Sequence, residues 1–252
     1  MSGRVGSITT GIIADGLVFN MDATNRASYS RRGNIVNNTI GSQTGSFSGT
    51  GGGNNLPQWR NNQRGAFNSD GTDDVIKFED VSFLNTDTGT VSIWVKTVDA
   101  IGSGAQQTFL CFRGNGSRQY VEFANLDDGK LKVGIRMWGD RWRIYSDDVI
   151  FSDDTWVNIT LVANGEGLDP TLYVNGVNAP YTYNVLSASY RGYWWSHIEC
   201  HNSQTWLGAR NYNGGYQVGH NGDIASLQIY TVTLSASEVL HNYNALKGRF
   251  GL

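Results

Sequence analysis

The sequence predicts an all-β protein, a sandwich of antiparallel sheets closed by one short C-terminal α-helix. Three observations carry this. Several segments alternate apolar and polar residues with a period of two, the pattern of strands with one buried face. Glycine is abundant at 32 residues and proline scarce at 3, which suits short strands joined by tight turns and disfavours helices, where glycine is costly. No helical pattern separates the strands, so packed antiparallel sheets are expected in place of β-α-β units. A chain of 252 residues can bury the core of one such domain without staples.

Taken in order, residues 16–21 and 75–78 read as strands, followed by 90–97, where Val91, Ile93 and Val95 share a face. Residues 108–113 follow. The segments 120–124 and 131–137 form a hairpin through Asp128-Gly129, with Leu131, Val133, Ile135 and Met137 on one face and Lys130, Lys132 and Arg136 on the other. Strands are expected at 142–146, at 157–161 with Val157, Ile159 and Leu161 inward, and at 172–174 before the turn Asn175-Gly176. Ala225, Leu227 and Ile229 share a face of the last strand.

One helix closes the chain. Ser235 is its N-cap, Glu238 completes a capping box, and Leu234 with Val239 forms a hydrophobic staple. Leu240, Tyr243 and Leu246 supply the apolar stripe, and Gly248 ends the helix. Two stretches interrupt the strand rhythm: residues 23–64, rich in Gly, Asn and Ser and expected as a long loop, and residues 181–205, with an aromatic cluster. The expected organisation is an N-terminal arm at 1–15, a β-domain at 16–233 containing the 23–64 loop, and a helix and tail at 234–252.

Charge excludes some functions. Charged residues are 16% and the net charge is -3, without the basic excess a nucleic-acid partner requires. No stretch is long and apolar enough for a transmembrane helix, and no membrane partner is expected. Met1 to Asp15 lacks an apolar core behind a basic start, so the chain is expected to be made in the cytoplasm without a secretory signal. Aspartate supplies 17 of the 22 acids, and the doublets Asp73-Asp74, Asp127-Asp128, Asp147-Asp148 and Asp153-Asp154 are expected at strand ends. Cys111 and Cys200 could form one disulfide or remain free buried thiols.

The candidate contact residues are aromatic: Tyr190, Tyr193, Trp194 and Trp195, with Tyr212 and Tyr216 in the glycine-rich 211–219 stretch. Their rings suit a protein interface or a sugar face, and Trp194 or Trp195 could instead cap the core. Trp138 and Trp142 are expected to cover a hairpin end. On a strand, His197, Glu199 and His201 would share a face and could form a zinc set. Asp70, Asp73 and Asp74 offer hard oxygen ligands for calcium on one turn, against the alternative that they only bond the backbone of that turn. No other cofactor is expected.

Six pieces in order resemble the laminin-G-like branch of the concanavalin A-like lectin/glucanase superfamily. They start at Gly16-Leu17-Val18-Phe19, Phe67-Asn68-Ser69-Asp70-Gly71, Val91-Ser92-Ile93-Trp94, Trp156-Val157-Asn158-Ile159, Leu172-Tyr173-Val174-Asn175-Gly176 and Gly222-Asp223-Ile224-Ala225. The resemblance implies a two-sheet jelly roll. The tail from Leu234-Ser235-Ala236-Ser237-Glu238 to Arg249-Phe250-Gly251-Leu252 looks like the ending of such domains in tailed-bacteriophage virions. That likeness implies an accessory structural protein of a virion, decorating the capsid or forming part of a tail or fibre. Its partners would be other virion proteins and its assembly homo-oligomeric; residues 2–15 and 23–64 are the expected docking segments. The alternative it leaves open is a lectin for host-surface glycans. The superfamily's glucanases carry a Glu-x-Asp-x-x-Glu run whose two carboxyls stand about 5 Å apart. The five glutamates here, Glu79, Glu122, Glu166, Glu199 and Glu238, do not form one, so catalysis is not expected.

Overall fold

The computed structural model describes residues 11–49, 56–61, 65–116 and 118–252. Among them are nineteen strands, one α-helix and three single 3₁₀ turns between residues 188 and 202. In chain order the first strands are β1 (Leu17–Asp22), β2 (Ile35–Asn37), β3 (Thr44–Ser48), β4 (Gln58–Arg60), β5 (Ala66–Asp70), β6 (Val75–Phe78) and β7 (Gly89–Thr97). Then come β8 (Gln107–Arg113), β9 (Gln119–Asn125), β10 (Leu131–Met137), β11 (Asp140–Ser146), β12 (Trp156–Ala163), β13 (Thr171–Val174) and β14 (Val177–Asn178). The last are β15 (Tyr181–Leu186), β16 (Thr205–Leu207), β17 (Arg210–Tyr212), β18 (Gly215–Gln217) and β19 (Asn221–Tyr230), followed by α1 (Ala236–Phe250).

The strands form two antiparallel sheets and a small hairpin. One sheet runs β14-β13-β12-β7-β19-β5-β4, with β1 also paired to β19; the other runs β15-β11-β10-β9-β8-β16-β6-β3-β2; β17 and β18 pair alone. The sheets bury one continuous apolar layer between them, including Val91, Ile93 and Val95 of β7, Val121 and Phe123 of β9, and Val133 and Ile135 of β10. This is the expected sandwich, and the four Asp doublets lie at its strand ends.

The centre of the eight-stranded sheet is buried on both sides. Every residue of β7 is buried because its second face lies beneath α1, where Trp94, Trp156 and Ala225 meet Phe250, Tyr243 and Leu246. Phe250 stacks on Trp94 with centroids 4.1 Å apart and leans on Trp156 at 4.7 Å. Ala225 belongs to this layer and not to the central core as expected. A bulge between Ile224 and Ser226 breaks the period of two, so Ile224, Leu227 and Ile229 face the core and Ala225 turns outward.

The helix begins as the sequence predicts, with both capping-box bonds formed and Leu234 and Val239 in one cluster. Two details differ. Leu240 is 43% exposed, and the buried stripe is Val239, Asn242 and Phe250, flanked by Tyr243 and Leu246. The helix passes through Gly248 and stops at Gly251, whose φ of 79° suits a left-handed C-cap. It passes that glycine because the contacts of Phe250 outweigh roughly 1 kcal/mol of helix propensity.

The 23–64 stretch is not a single loop: β2, β3 and β4 lie within it, and its Tyr29 and Phe47 pack with Phe67. Of the expected docking segments, residues 2–10, 50–55 and 62–64 lie outside the described residues. Cys111 and Cys200 are both free and buried, and burial pushes the Cys111 thiol up to about 12, far from reactivity. Among the described residues no helix is long and apolar enough to cross a membrane.

Candidate functional site

The outer face of the nine-stranded sheet carries a charged network that starts from β-sheet register. The Asp128-Gly129 hairpin pairs Ala124 with Lys132 and Glu122 with Gly134, which sets Lys132 diagonally across from Glu122. Lys132 Nζ lies 2.6 Å from Glu122 Oε1, and Glu122 is 2% exposed. Arg210, delivered by β17, reaches the other carboxylate oxygen at 3.5 Å. Gln106 ties the group together: its Nε2 donates to Glu122 at 3.0 Å, and its Oε1 accepts from Lys132 at 2.8 Å. A buried carboxylate is tolerable only with partners of this kind. Tyr120 stands beside this group, and burial followed by the Glu122 charge pushes its phenol far up.

The hairpin β17–β18 folds onto this face and makes the wall of a cleft. Arg210 donates to Gln217 across the hairpin at 2.8 Å, and Tyr216 packs on Trp206 with centroids 5.0 Å apart, Lys77 lying over both rings. The cleft holds about 450 Å³ between that hairpin, the turn after β5 and the loop before β8. Asp70, Asp99, Gln106, Gln107, Tyr216, Gln217 and Asn221 line it, a set rich in amides and carboxylates with an aromatic ring. Such a surface can bond hydroxyl groups in pairs and cover an apolar ring face.

Behind the cleft wall, Asp70, Asp73 and Asp74 bring carboxylate oxygens within 4.8 Å of one another, the one such group of three among the described residues. Asp70 Oδ1 accepts from the Thr72 N–H at 2.8 Å, and Asp74 Oδ2 accepts from the Asp70 N–H at 3.2 Å. Asp74 Oδ1 is buried with no hydrogen-bond partner. Burial, then the charge of Asp70, pushes the Asp74 carboxyl from 3.8 up to about 6.

The six aromatic candidates do not assemble into one surface. Tyr216 lines the cleft, and Tyr212 is half-buried at 6.4 Å from Tyr120 on the far side of the same hairpin. Tyr190 and Tyr193 form a separate patch, edge to face at 5.0 Å, with Arg141 over Tyr190 and Tyr193 stacked on His197 at 4.0 Å. Trp194 and Trp195 are contact residues in neither place. Both are 0% exposed, Trp194 stacked on Trp142 and Trp195 edge-on to Phe112, so the core alternative holds for them. Their burial follows from Gly192, whose φ of 71° tucks the chain so close to Gly165 that a Cβ would stand 1.9 Å from its carbonyl oxygen. The hairpin-end expectation fails for both other tryptophans: Trp142 is in the core and Trp138 is 64% exposed.

His197, Glu199 and His201 lie on consecutive 3₁₀ turns and not on a strand, with Glu199 in the left-handed region, so they share no face and form no ligand group. Instead His197 Nδ1 accepts the Trp194 N–H at 3.0 Å, and Glu199 accepts from Asn115 at 2.8 Å. Composition overlooked Gln106, Glu122, Lys132 and Arg210. For Glu122 and Lys132 a signal does exist in the sequence: a hairpin that turns at Asp128-Gly129 sets both on the same face of adjacent strands.

The family model for the concanavalin A-like lectin/glucanases superfamily, in its laminin-G form, matches residues 70–240. The chain belongs to this superfamily. Its matched span runs from Asp70 at the cleft rim to Leu240 near the start of α1 and contains the whole charged network. No curated protein matches the chain in sequence. Among solved structures, the carbohydrate-binding module CBM40 of the Ruminococcus gnavus IT-sialidase, bound to α2,3-sialyllactose, superposes with a TM-score of 0.54 at 16% identity. That match covers 69% of this chain and 94% of the module. The Trypanosoma rangeli sialidase in complex with sialic acid superposes with a TM-score of 0.64 at 12% identity, over 97% of this chain but 37% of the sialidase. At such identities the likeness is one of fold: this superfamily member has the sandwich of carbohydrate-binding proteins.

Proposed function

We propose that the chain is a non-enzymatic glycan-recognition jelly roll. The observation that carries this reading is the 450 Å³ cleft, where amides, carboxylates and the Tyr216 ring converge beside the buried Glu122–Lys132–Arg210 network. A fixed set of donors and acceptors next to a ring is what sugar recognition needs. The carbohydrate-binding module among its structural neighbours adds support. Catalysis is not part of the proposal. Of the carboxylates on the cleft wall, Asp70 caps Thr72 and Asp99 accepts from Asn221, and the chain has no Glu-x-Asp-x-x-Glu run. A glycan array tests the reading: saturable binding that weakens on Tyr216→Ala supports it, and an array with no binding overturns it. Polysaccharide cleavage by the purified chain would overturn the non-enzymatic part.

The finer reading is that this recognition surface is displayed on a tailed-phage virion, as a homo-oligomeric capsid-decoration or tail protein among other virion proteins. What supports it is the resemblance of residues 234–252 to the endings of virion jelly rolls. Labelling purified particles with an antibody to the chain tests it; unlabelled particles refute it. For the Asp70–Asp73–Asp74 group we propose calcium as the ligand, on the strength of three hard oxygen donors and the partnerless buried oxygen of Asp74. Calcium titration followed by thermal unfolding checks this, and an unchanged Tm refutes it.

A further inference from the structure

A second cleft opens at the same end of the nine-stranded sheet. It holds about 370 Å³ and is walled by Lys130, Tyr145, Asp147, Thr182 and Asn184. Register explains why the two clefts are neighbours. Gln107 stands opposite Asn125, Asn125 opposite Leu131, and Ser146 opposite Tyr181, so one transverse line joins the strand ends beneath both. One residue inward, Lys132 pairs with Tyr145 and Tyr145 with Thr182. Lys132 also donates to Gln106, a wall residue of the first cleft. The Lys132 side chain therefore lies between a residue of one cleft and a residue of the other.

We propose that the two clefts are successive subsites for one linear oligosaccharide, lying across the strands with Lys132 at its midpoint. This rests on the glycan-recognition reading above and adds to it the length of the ligand. From β9, where Gln106 is anchored, to β15 is three strand spacings, about 14 Å, the reach of roughly three linked sugar rings. The first cleft holds one ring more beside Tyr216. The chemistry of the row favours hydroxyl groups over an ionic ligand. Lys130 and Lys132 stand among Asp147 and Glu122. The Thr182 hydroxyl donates to Asp147 and leaves its oxygen as an acceptor, and Asn184, whose oxygen accepts from Arg143, presents its amide N–H groups as neutral donors. Tyr145 is half-buried with Arg143 packed 5.6 Å from its ring, which holds the phenol in place as a flat support.

The test uses cello-, xylo-, malto- and N-acetylchito-oligosaccharides of one to six rings, with α2,3- and α2,6-sialyllactose, titrated calorimetrically into the whole chain. For the series that binds, affinity should rise with each ring up to about four and then level off. Tyr145→Ala and, independently, the exposed Asn184→Ala should each erase about tenfold of the gain from the third and fourth rings, one stacked ring's worth. Both should leave disaccharide binding unchanged, which also shows that the variants are folded. Equal affinity for two and six rings, or full long-chain affinity in both variants, overturns the inference while leaving glycan recognition standing. If no probe binds, the glycan reading falls and this inference with it.

Discussion

Replacing Lys132 with methionine removes the ammonium 2.6 Å from Glu122 Oε1 while keeping the length of the side chain. The Glu122 carboxylate, 2% exposed, is then left with Arg210 at 3.5 Å and hydrogen bonds from Gln106 and Thr108. Removing one member of a buried pair costs about 3–5 kcal/mol. The remaining guanidinium places this case near the lower end, about 3 kcal/mol. At about 2–4 °C per kcal/mol for a chain of this size, Tm should fall by roughly 6–12 °C in thermal unfolding followed by circular dichroism. Adding Glu122→Leu to Lys132→Met should recover most of the loss, because no uncompensated charge remains. A Tm within about 2 °C of the parent refutes the reasoning.

Three further outcomes are expected. The raised Asp74 carboxyl opposes folding when ionised, so its penalty is present above pH 6 and lifts as pH falls from 6 toward 3.8; Asp74→Asn should flatten that part of the Tm–pH curve. Trp195→Ala should cost about 3–5 kcal/mol through a cavity, measured by denaturant unfolding, and any loss of glycan affinity should track loss of fold. Phe250→Ala should cost a similar 3–5 kcal/mol and shift tryptophan emission to the red, because Trp94 and Trp156 lose the ring stacked against them.

The strands and the start of the helix were legible because each follows from a local rule. Val91, Ile93 and Val95 alternate, Asn175 and Gly176 both take positive φ, and Ser235 with Glu238 closes its box. What was not legible depends on meetings between distant segments. The bulge at Ala225 answers to Trp94 and the helix, and no periodicity in β19 announces it. Trp194 and Trp195 have the residue type of a contact surface, but their direction is set by Gly192 against Gly165, which no window around them contains. Of the site, Asp70, Asp73, Asp74 and Tyr216 were found from type and turn context. Gln106 and Arg210 were not, because each reaches Glu122 from a loop or hairpin whose placement is fixed only when the sheets close.

The position of α1 has a practical consequence. Asn242 accepts the Ile13 N–H, His241 lies 2.7 Å from the Gly11 carbonyl oxygen, and Arg249 pairs with Asp22, so both described ends of the chain are fastened to the helix layer. The second cleft lies on the opposite sheet, and the first opens at the rim, where Asp70 and Asn221 of the helix-backed sheet meet the β17–β18 hairpin. A tether through α1 therefore holds the molecule by its back, and an array of such molecules anchored that way would turn the face carrying the second cleft toward the surroundings.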